Sequence, residues 1–421
     1  MINRIHYLIL FFFLTAGLQA KSIRVLFLGN SYTYVNSLPQ LTADVASSVM
    51  DTVIFNQNTI GGYTLQQHLS DATSIGLIQA GNWDYVVLQE QSQLPSFPIA
   101  QVEQDVFPYA HLLDSIIDLY NPCGRTVFYM TWGRKNGDAS NCAFYPPLCT
   151  YQGMDSLLNL RYRMMADSND ALVSPVGAVW HYIRDHDPLI ELYQADESHP
   201  SAAGSYAAAC CFYTCLFRKD PMNISYDFSL SAADADSIRR AVKAVVFDSL
   251  PEWNIGKFDP HAFFSDTTYH PLEISFGNQS SNADSYLWDF GDGNASADFS
   301  PTHLYAADGI YTVVLHAYHC DQEDSFQLSV NVQSQNGIQD LNSAHAVVYP
   351  NPSNDHLNLD QLELNSGNTD LEIREQNGRL VSKFQISSQT RSIDISELKP
   401  GVYYLLNISN NKSQYIARFI R

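Results

Sequence analysis

The chain has 421 residues and a formal net charge of −21, long enough for two to four domains that each bury a core. A surface this acidic repels phosphate backbones and excludes nucleic acid as a partner. Hydrophobic residues make up 45% and charged residues 16% of the chain, fractions ordinary for a soluble globular protein.

The first element in chain order is a leader. Arg4 supplies positive charge, Tyr7–Leu14 ("YLILFFFL") is a short apolar run, and "GLQA" ends on the small Ala20. This pattern predicts a signal peptide over residues 1–20, cleaved after Ala20. The run is too short to span a bilayer and no later segment is apolar enough, so no membrane-spanning segment is expected.

From residue 22 to about 218, short apolar runs alternate with helical patterns. The runs are Ile23–Leu28, Thr52–Phe55, Tyr85–Leu88, Thr126–Thr131 and Ala171–Ser174. Between the first two, Leu38, Leu41, Val45 and Val49 share one helical face, and Ser37 with Gln40 fits a capping box. Strands alternating with helices predict an α/β fold with a doubly wound, mostly parallel sheet. Ligands of such sheets bind beyond the carboxyl ends of the strands. A further helix is predicted over Ser231–Leu250, with Ala235, Ile238, Val242 and Val245 as its apolar stripe. After about residue 262 only short alternating strands remain, broken by Asn, Asp, Gly and Ser, and the change marks a domain boundary.

Ser31 follows the first strand, at the end where ligands bind. A hydroxyl becomes a useful nucleophile only when a base takes its proton and a carboxylate orients that base. "DESHPSAAG" offers Asp196 and His199, three residues apart and within reach of each other in one loop. Glu197 is an alternative acid, but it stands only two residues from His199. Trp132, after the fourth strand, is either a sugar-stacking platform or a buried core residue, and Trp180 and His181 read as helix packing. Of seven cysteines, Cys142 and Cys149 flank a short loop suited to pairing. Cys210, Cys211 and Cys215 lie on an apolar helix as small core residues. No spacing resembles a zinc site, so no metal or cofactor is expected, and the odd count leaves at least one thiol free or paired between chains.

Gly29-Asn30-Ser31 resembles the first sequence block of the SGNH (GDSL-like) hydrolases, and Asp196-x-x-His199 resembles their last. The likeness runs over residues 22–255. "NTIGGYTL" (58–65) resembles the second block and places Gly62 where that family aims a backbone N–H at the oxyanion. "YVVLQEQSQ" (85–93) occupies the third, where the family has Gly-x-Asn and this chain has Gln89-Glu90-Gln91. Aligning the strands puts Gln91 in the asparagine's place, with Gln89 as the other candidate. The pairing of "GNSYT" with "LQEQS" resembles one subgroup of that family. The resemblance implies a flavodoxin-like α/β domain that transfers acyl groups to water. Ser31 would be the nucleophile, His199 the base and then acid, and Asp196 the orienting carboxylate. The N–H groups of Ser31 and Gly62 and the amide of Gln91 would face the oxyanion. No G-x-S-x-G elbow surrounds Ser31.

Two all-β modules follow. "SYLWDFGDGNASADFSPTHLYAADGIYTVVL" (285–315) resembles a PKD domain, which implies a small β-sandwich over 262–333 whose glycines serve a tight turn. Its aspartates are read as turn formers rather than calcium ligands. The tail, 345–421, resembles the C-terminal sorting domain of type IX secretion cargo in Bacteroidetes. Tyr349-Pro350-Asn351-Pro352 opens it, Gly401-Val402-Tyr403-Tyr404 forms a late strand, and basic residues close it. This implies engagement of the type IX secretion machinery, export across both membranes, and a final place outside the cell or on its surface. The function implied is a secreted serine esterase that removes acetyl or similar acyl groups from polysaccharide, glycan or another small ester. The other reading is a surface carbohydrate-binding protein whose hydrolase domain has lost activity.

Overall fold

The structure is a computed structural model that describes residues 20–270, 272–333, 347–353, 355–360, 369–375, 379–386, 392–409 and 412–421. All of the leader except Ala20, and the first two residues of the predicted tail, lie outside the described residues.

Strands β1 (Ser22–Gly29), β2 (Thr52–Thr59), β3 (Tyr85–Leu88), β4 (Arg125–Tyr129) and β5 (Leu172–Ser174) form one parallel sheet in the order β2-β1-β3-β4-β5. Val25–Leu28 and Val86–Leu88 are fully buried, because helices cover both faces of a parallel sheet and leave its inner strands no solvent side. β2, at the sheet edge, mixes buried and exposed positions along its length, whereas in β1 the exposed residues are Ser22 and Arg24 at its start. The chain runs outward from β1 to β2 and then returns across β1 to β3. That reversal opens a crevice beyond the strand ends between β1 and β3. Leu28 pairs with Leu88 there, so the residues after Gly29 emerge beside Gln89, Glu90 and Gln91.

The helices are α1 (Ser31–Tyr34), α2 (Leu38–Ser47), α3 (Leu65–Ser70), α4 (Ala72–Gln79), α5 (Ile99–Asp105), α6 (Phe107–Tyr120), α7 (Tyr151–Ser168), α8 (Val176–His186), α9 (Ala202–Phe217) and α10 (Ala232–Val245). Helix α9 is buried almost all round, which its run of Ala, Gly, Ser and Cys permits through close packing. Its Cys210, Cys211 and Cys215 are buried free thiols, as expected. The capping box at Ser37 does not form. Ser37 has φ 52 and makes no cap bond, and Gln40 donates instead to Asp44 at 2.8 Å. The cause is a tight bend at Asn36, φ 54, which turns the chain before α2 begins. Val49 falls beyond α2 and is half-buried, and α10 stops at Val245, followed by a 3-10 turn over Phe247–Trp253.

Cys142 and Cys149 are paired. A second disulfide, Cys123–Cys320, was not visible in the spacing. It ties the turn before β4 to the tip of a β-hairpin made by β11 (Gly309–His319) and β12 (Gln322–Val332). The same link region contains a two-pronged ion pair from Arg218 to Asp259. With β6 (Phe264–His270), β7 (Glu273–Asn278), β8 (Ser285–Asp289), β9 (Ala295–Ser296) and β10 (Thr302–Leu304), the hairpin makes two facing sheets, β10-β7-β6 and β12-β11-β8-β9. Their aromatic core includes Phe264 packed on Trp288 at 4.9 Å. Gly291 and Gly293 have φ of +77° and +91°, a conformation costly for any residue with a Cβ. Asp289 and Asp292 accept the backbone N–H groups of Gly291 and Asn294, so these aspartates shape the turn.

Two more antiparallel sheets complete the chain. One is β13 (Val347–Tyr349), β14 (His356–Asp360) and β17 (Ser392–Asp394); the other is β16 (Leu380–Ile386), β15 (Thr369–Glu375), β18 (Val402–Ser409) and β19 (Lys412–Ile420). Leu357, Leu371, Ile373, Leu405 and Phe419 are buried together in their core. By compactness the chain divides into one unit that ends at Thr267 but also takes in Ile274–His303 and Tyr311–Val330, and a second unit with the remaining segments and the C-terminal sheets. Among the described residues no helix is long and apolar enough to cross a membrane.

Candidate active site

Gly29 closes β1 in a place where no side chain fits. A Cβ there would lie 2.5 Å from Thr33 Oγ1 and 2.7 Å from Gln89 Oε1. Asn30 then caps α1, its side chain accepting the Tyr32 N–H at 3.1 Å and donating to the Tyr63 carbonyl at 2.9 Å. Ser31 is the first residue of that four-residue helix and is half-buried. Its N–H, like every first-turn N–H, has no partner within the helix.

His199 Nε2 lies 2.9 Å from Ser31 Oγ, and its Nδ1 is hydrogen-bonded to Asp196 Oδ2. Asp196 Oδ1 accepts the N–H groups of Ser198 at 3.1 Å and His199 at 3.0 Å. Burial pushes the Asp196 carboxyl upward, but the bonds from His199 and Ser198 outweigh it and hold the group below its ordinary range. An ionised Asp196 fixes the imidazole with its proton on Nδ1 and Nε2 open toward the serine. Glu197 has φ +61° and points away, accepting from Asn136 at 2.9 Å. The structure therefore brings Ser31, His199 and Asp196 into one chain of hydrogen bonds and leaves Glu197 outside it.

The loop that bears His199 rests on an aromatic column. Tyr32, Trp132 and Trp180 stack in turn, with ring centroids 4.7 Å and 3.7 Å apart. Trp132 Nε1 donates to the Ser198 carbonyl at 3.0 Å, and the Tyr32 hydroxyl lies 2.6 Å from Ser198 Oγ. The Tyr32 ring also meets His199 edge-on at 5.5 Å. Trp132 is fully buried, so its sugar-platform reading is withdrawn; its indole serves as a floor. His181, read with Trp180 as helix packing, is half-buried on α8, where it pairs with the buried Asp155 of α7 and with Asp185. Asn36 adds a brace, its amide donating to the carbonyls of Pro200 and Ser201 and to Ser205 Oγ.

The tripeptide after β3 holds three different segments. Gln89 is fully buried. Its Oε1 accepts the Asn30 N–H and the Thr33 hydroxyl, each at 2.9 Å, and its Nε2 donates to the Glu90 carbonyl. Gln89 is thus a clamp on the serine turn, held fully buried, with one of its two amide N–H groups given to the Glu90 carbonyl. Glu90 is also fully buried; its carboxyl accepts the Leu65 N–H at 3.2 Å and the Gln91 N–H at 2.5 Å. Burial raises this carboxyl to about 8 against the opposing pull of those two bonds. Gln91 is half-buried. Its Oε1 caps Gln93 and Leu94, and one N–H of its amide reaches Gln93 Oε1 at 3.1 Å. The second N–H takes no acceptor among the described residues.

Gly62 sits at the third position of a turn closed by Tyr63 N–H on the Ile60 carbonyl at 3.1 Å, with φ +75°, so a glycine is required there. Its own N–H finds no backbone acceptor among the described residues. His68, fully buried, bridges the Gly29 carbonyl at 3.0 Å and Ser74 Oγ at 2.8 Å. Burial, its leading influence, lowers His68 below the usual histidine range despite the bond to Gly29, and keeps it a neutral strut under the serine turn. Sequence reading missed Gln89, Glu90, His68, Ser198 and Asn36 as supports, because each acts through a partner far away in the chain. Among the described residues no cluster of His, Cys, Asp and Glu could hold a metal ion.

Comparisons with known proteins cover all three parts of the chain. The family described as PKD domain matches residues 258–333, and the secretion system C-terminal sorting domain matches 347–421. No curated protein matches. Among solved structures, a DUF4886 family protein from Bacteroides uniformis is 17% identical, with a TM-score of 0.48 over 55% of this chain and 95% of its own. A protein of Slackia heliotrinireducens named as an SGNH hydrolase is 27% identical, with a TM-score of 0.38 over 46% of this chain and 97% of its own. The PKD1 domain of the Vibrio cholerae metalloprotease PrtV is 34% identical, with a TM-score of 0.17 over 18% of this chain and 98% of its own. The sorting tail directs the chain through type IX secretion to the cell surface or the extracellular space.

Proposed function

We propose that the chain is a secreted serine esterase, with residues 22–255 as its catalytic domain, acting on acetyl or similar acyl esters of a polysaccharide or glycan. The observation that carries this reading is the Ser31–His199–Asp196 relay, with Nε2 2.9 Å from Oγ and Asp196 on the opposite ring nitrogen. His199 takes the Ser31 proton as Oγ attacks the ester carbonyl, then returns it to the departing alcohol. Asp196 stabilises the imidazolium formed between the two steps. The N–H groups of Ser31 and Gly62 and the spare N–H of Gln91 receive the oxyanion. Water repeats the sequence on the acyl-serine and releases the acid.

The openness of the site supports a large alcohol partner over a long acyl chain. The His199 and Asp196 side chains are 32% and 47% exposed, and a polymer can lie across such a rim. Type IX export to the cell surface or the extracellular space supports a substrate met outside the cell. The test is turnover of p-nitrophenyl acetate and release of acetate from an acetylated glycan. Ser31→Ala is expected to lose about three or more powers of ten in kcat with an unchanged melting temperature. A Ser31→Ala enzyme that keeps its rate would remove Ser31 from the chemistry.

A further inference from the structure

Glu90 is a carboxyl buried where solvent does not reach, and the relay described above has no use for it. Both of its hydrogen-bond donors are backbone groups, and they belong to two different loops. Leu65 N–H, the first of α3, closes the segment that carries the Gly62 turn. Gln91 N–H opens the segment that carries the third oxyanion donor. The two loops are 25 residues apart in sequence, and this carboxyl touches both. A donor set for an oxyanion works only when its members hold a fixed separation, since each must come within about 3 Å of one atom. A short, fully buried acceptor between the two segments supplies that constraint, because side chains fixed by packing hold a site more tightly than mobile loops do.

We infer that Glu90 is a positioning residue that sets the distance between the Gly62 turn and Gln91 by accepting the Leu65 and Gln91 N–H groups together. This inference rests on the esterase reading for its kinetic consequence, but the tie itself is a property of the fold. One oxygen, Oε1, lies 2.5 Å from Gln91 N and 3.3 Å from Leu65 N, so a carboxamide oxygen in its place keeps both of these bonds and gives up only the second contact of Leu65 N–H, that to Oε2 at 3.2 Å. Charge is therefore dispensable and the acceptor is not.

The experiment uses the full chain with p-nitrophenyl acetate as probe. Glu90→Leu removes the acceptor, and Glu90→Gln keeps it. Leu65→Pro removes the partner N–H from the other side. Proline suits the first position of a helix, and Thr64 before it is already extended, with φ −105° and ψ 165°, as a residue preceding proline must be. Leu65→Ala controls for the lost side chain. Glu90→Leu and Leu65→Pro are each expected to lower kcat about 10²-fold or more with KM within about threefold, the signature of a transition-state interaction. Amide exchange over residues 60–65 and 91–94 should quicken in both, while Glu90→Gln and Leu65→Ala stay within about fivefold of the wild-type kcat. A folded Glu90→Leu or Leu65→Pro with wild-type kcat and unchanged exchange overturns the inference, as does a loss confined to KM. Should Glu90→Leu not fold, the Leu65→Pro and Leu65→Ala pair decides. Should the wild type not turn the ester over, the esterase reading falls, and the exchange comparison alone decides whether Glu90 makes the tie.

Discussion

Gln89→Met separates the clamp on the serine turn from the chemistry that the turn performs. Methionine fills nearly the same volume, so the perturbation is the loss of polar atoms from a fully buried position. Two donors then lose their acceptor, the Asn30 N–H and the Thr33 hydroxyl, both at 2.9 Å from Gln89 Oε1. Each buried orphan costs about 1–3 kcal/mol, and partial relaxation of the exposed side of the turn brings the expected total to about 2–4 kcal/mol. Thr33→Val in the same background removes one of the two orphans and should restore about 1–2 kcal/mol, although Thr33→Val alone destabilises. Urea unfolding followed by tryptophan fluorescence is the assay, since Trp83, Trp132, Trp180 and Trp253 lie in the α/β core. Esterase turnover should fall as well, because Asn30 is the residue before Ser31, the proposed nucleophile. A Gln89→Met protein within about 0.5 kcal/mol of wild type, or a double variant whose losses simply add, would refute the reasoning.

Gln91→Ala should lower kcat about 10²–10³-fold with little change in KM, and Gln91→Asn should recover little of it, because the shorter arm withdraws the spare N–H. Full activity in steady-state assays of Gln91→Ala would leave the hole to Ser31 and Gly62. A pH series on stability tests Glu90, whose folded value near 8 stands above its ordinary 4.5. The folded state then binds the proton more tightly than the unfolded state. The stability linked to it is full below about pH 4.5 and is lost as pH rises toward 8, by an amount on the order of a few kcal/mol. Buried Tyr162 is the titratable neighbour that Glu90 influences. Glu90→Gln should flatten that decline, and a wild-type curve already flat from pH 5 to 8 would contradict it. Replacing Cys123 and Cys320 by serine opens a loop with a sequence separation of 197 and should lower the unfolding free energy by up to about 5 kcal/mol on loop-entropy grounds, read as a lower unfolding midpoint. Ester turnover should not change, because Cys123 precedes β4 and so lies at the opposite end of the strand from the site; a drop in turnover would show that the link reaches the chemistry.

Much of the fold was legible because it rests on local pattern. Apolar runs such as Val25–Leu28, too short for a helix and alternating with helical patterns, fit strands covered on both faces. The juxtaposition of Ser31, Asp196 and His199 was legible for a similar reason: Asp196 and His199 share one loop, and Ser31 stands at a strand end. The capping box at Ser37 failed because a distant contact, Asn36 to the Pro200 loop, turns the backbone where local chemistry favours a helix start. Trp132 was ambiguous because a tryptophan at a strand end looks the same in sequence whether its ring faces solvent or a second tryptophan. Gln89 and Gln91 differ by two positions and share a residue type, yet one is buried under Gly29 and the other half-exposed. Only the pairing of β1 with β3 distinguishes them. Cys123–Cys320 was invisible for the plainest reason, since nothing in spacing alone relates two cysteines from different domains.

That second disulfide also imposes an order of events on biosynthesis. Cys142 and Cys149 leave the ribosome long before Cys320, and both follow Cys123 closely. In an oxidising compartment Cys123 therefore meets Cys142 and Cys149 as its first reactive neighbours, and its native partner arrives only with the β-hairpin of the following domain. A wrong pair formed early is undone by thiolate attack on the disulfide, a reaction of seconds to hours unless an isomerase assists. The short Cys142–Cys149 loop closes readily and withdraws those two competitors. Cys210, Cys211 and Cys215 are withdrawn in turn once α9 packs. Cys123 is then the one thiol of the α/β domain left to wait, and the yield of correctly oxidised protein depends on the β-sandwich folding before that thiol is consumed.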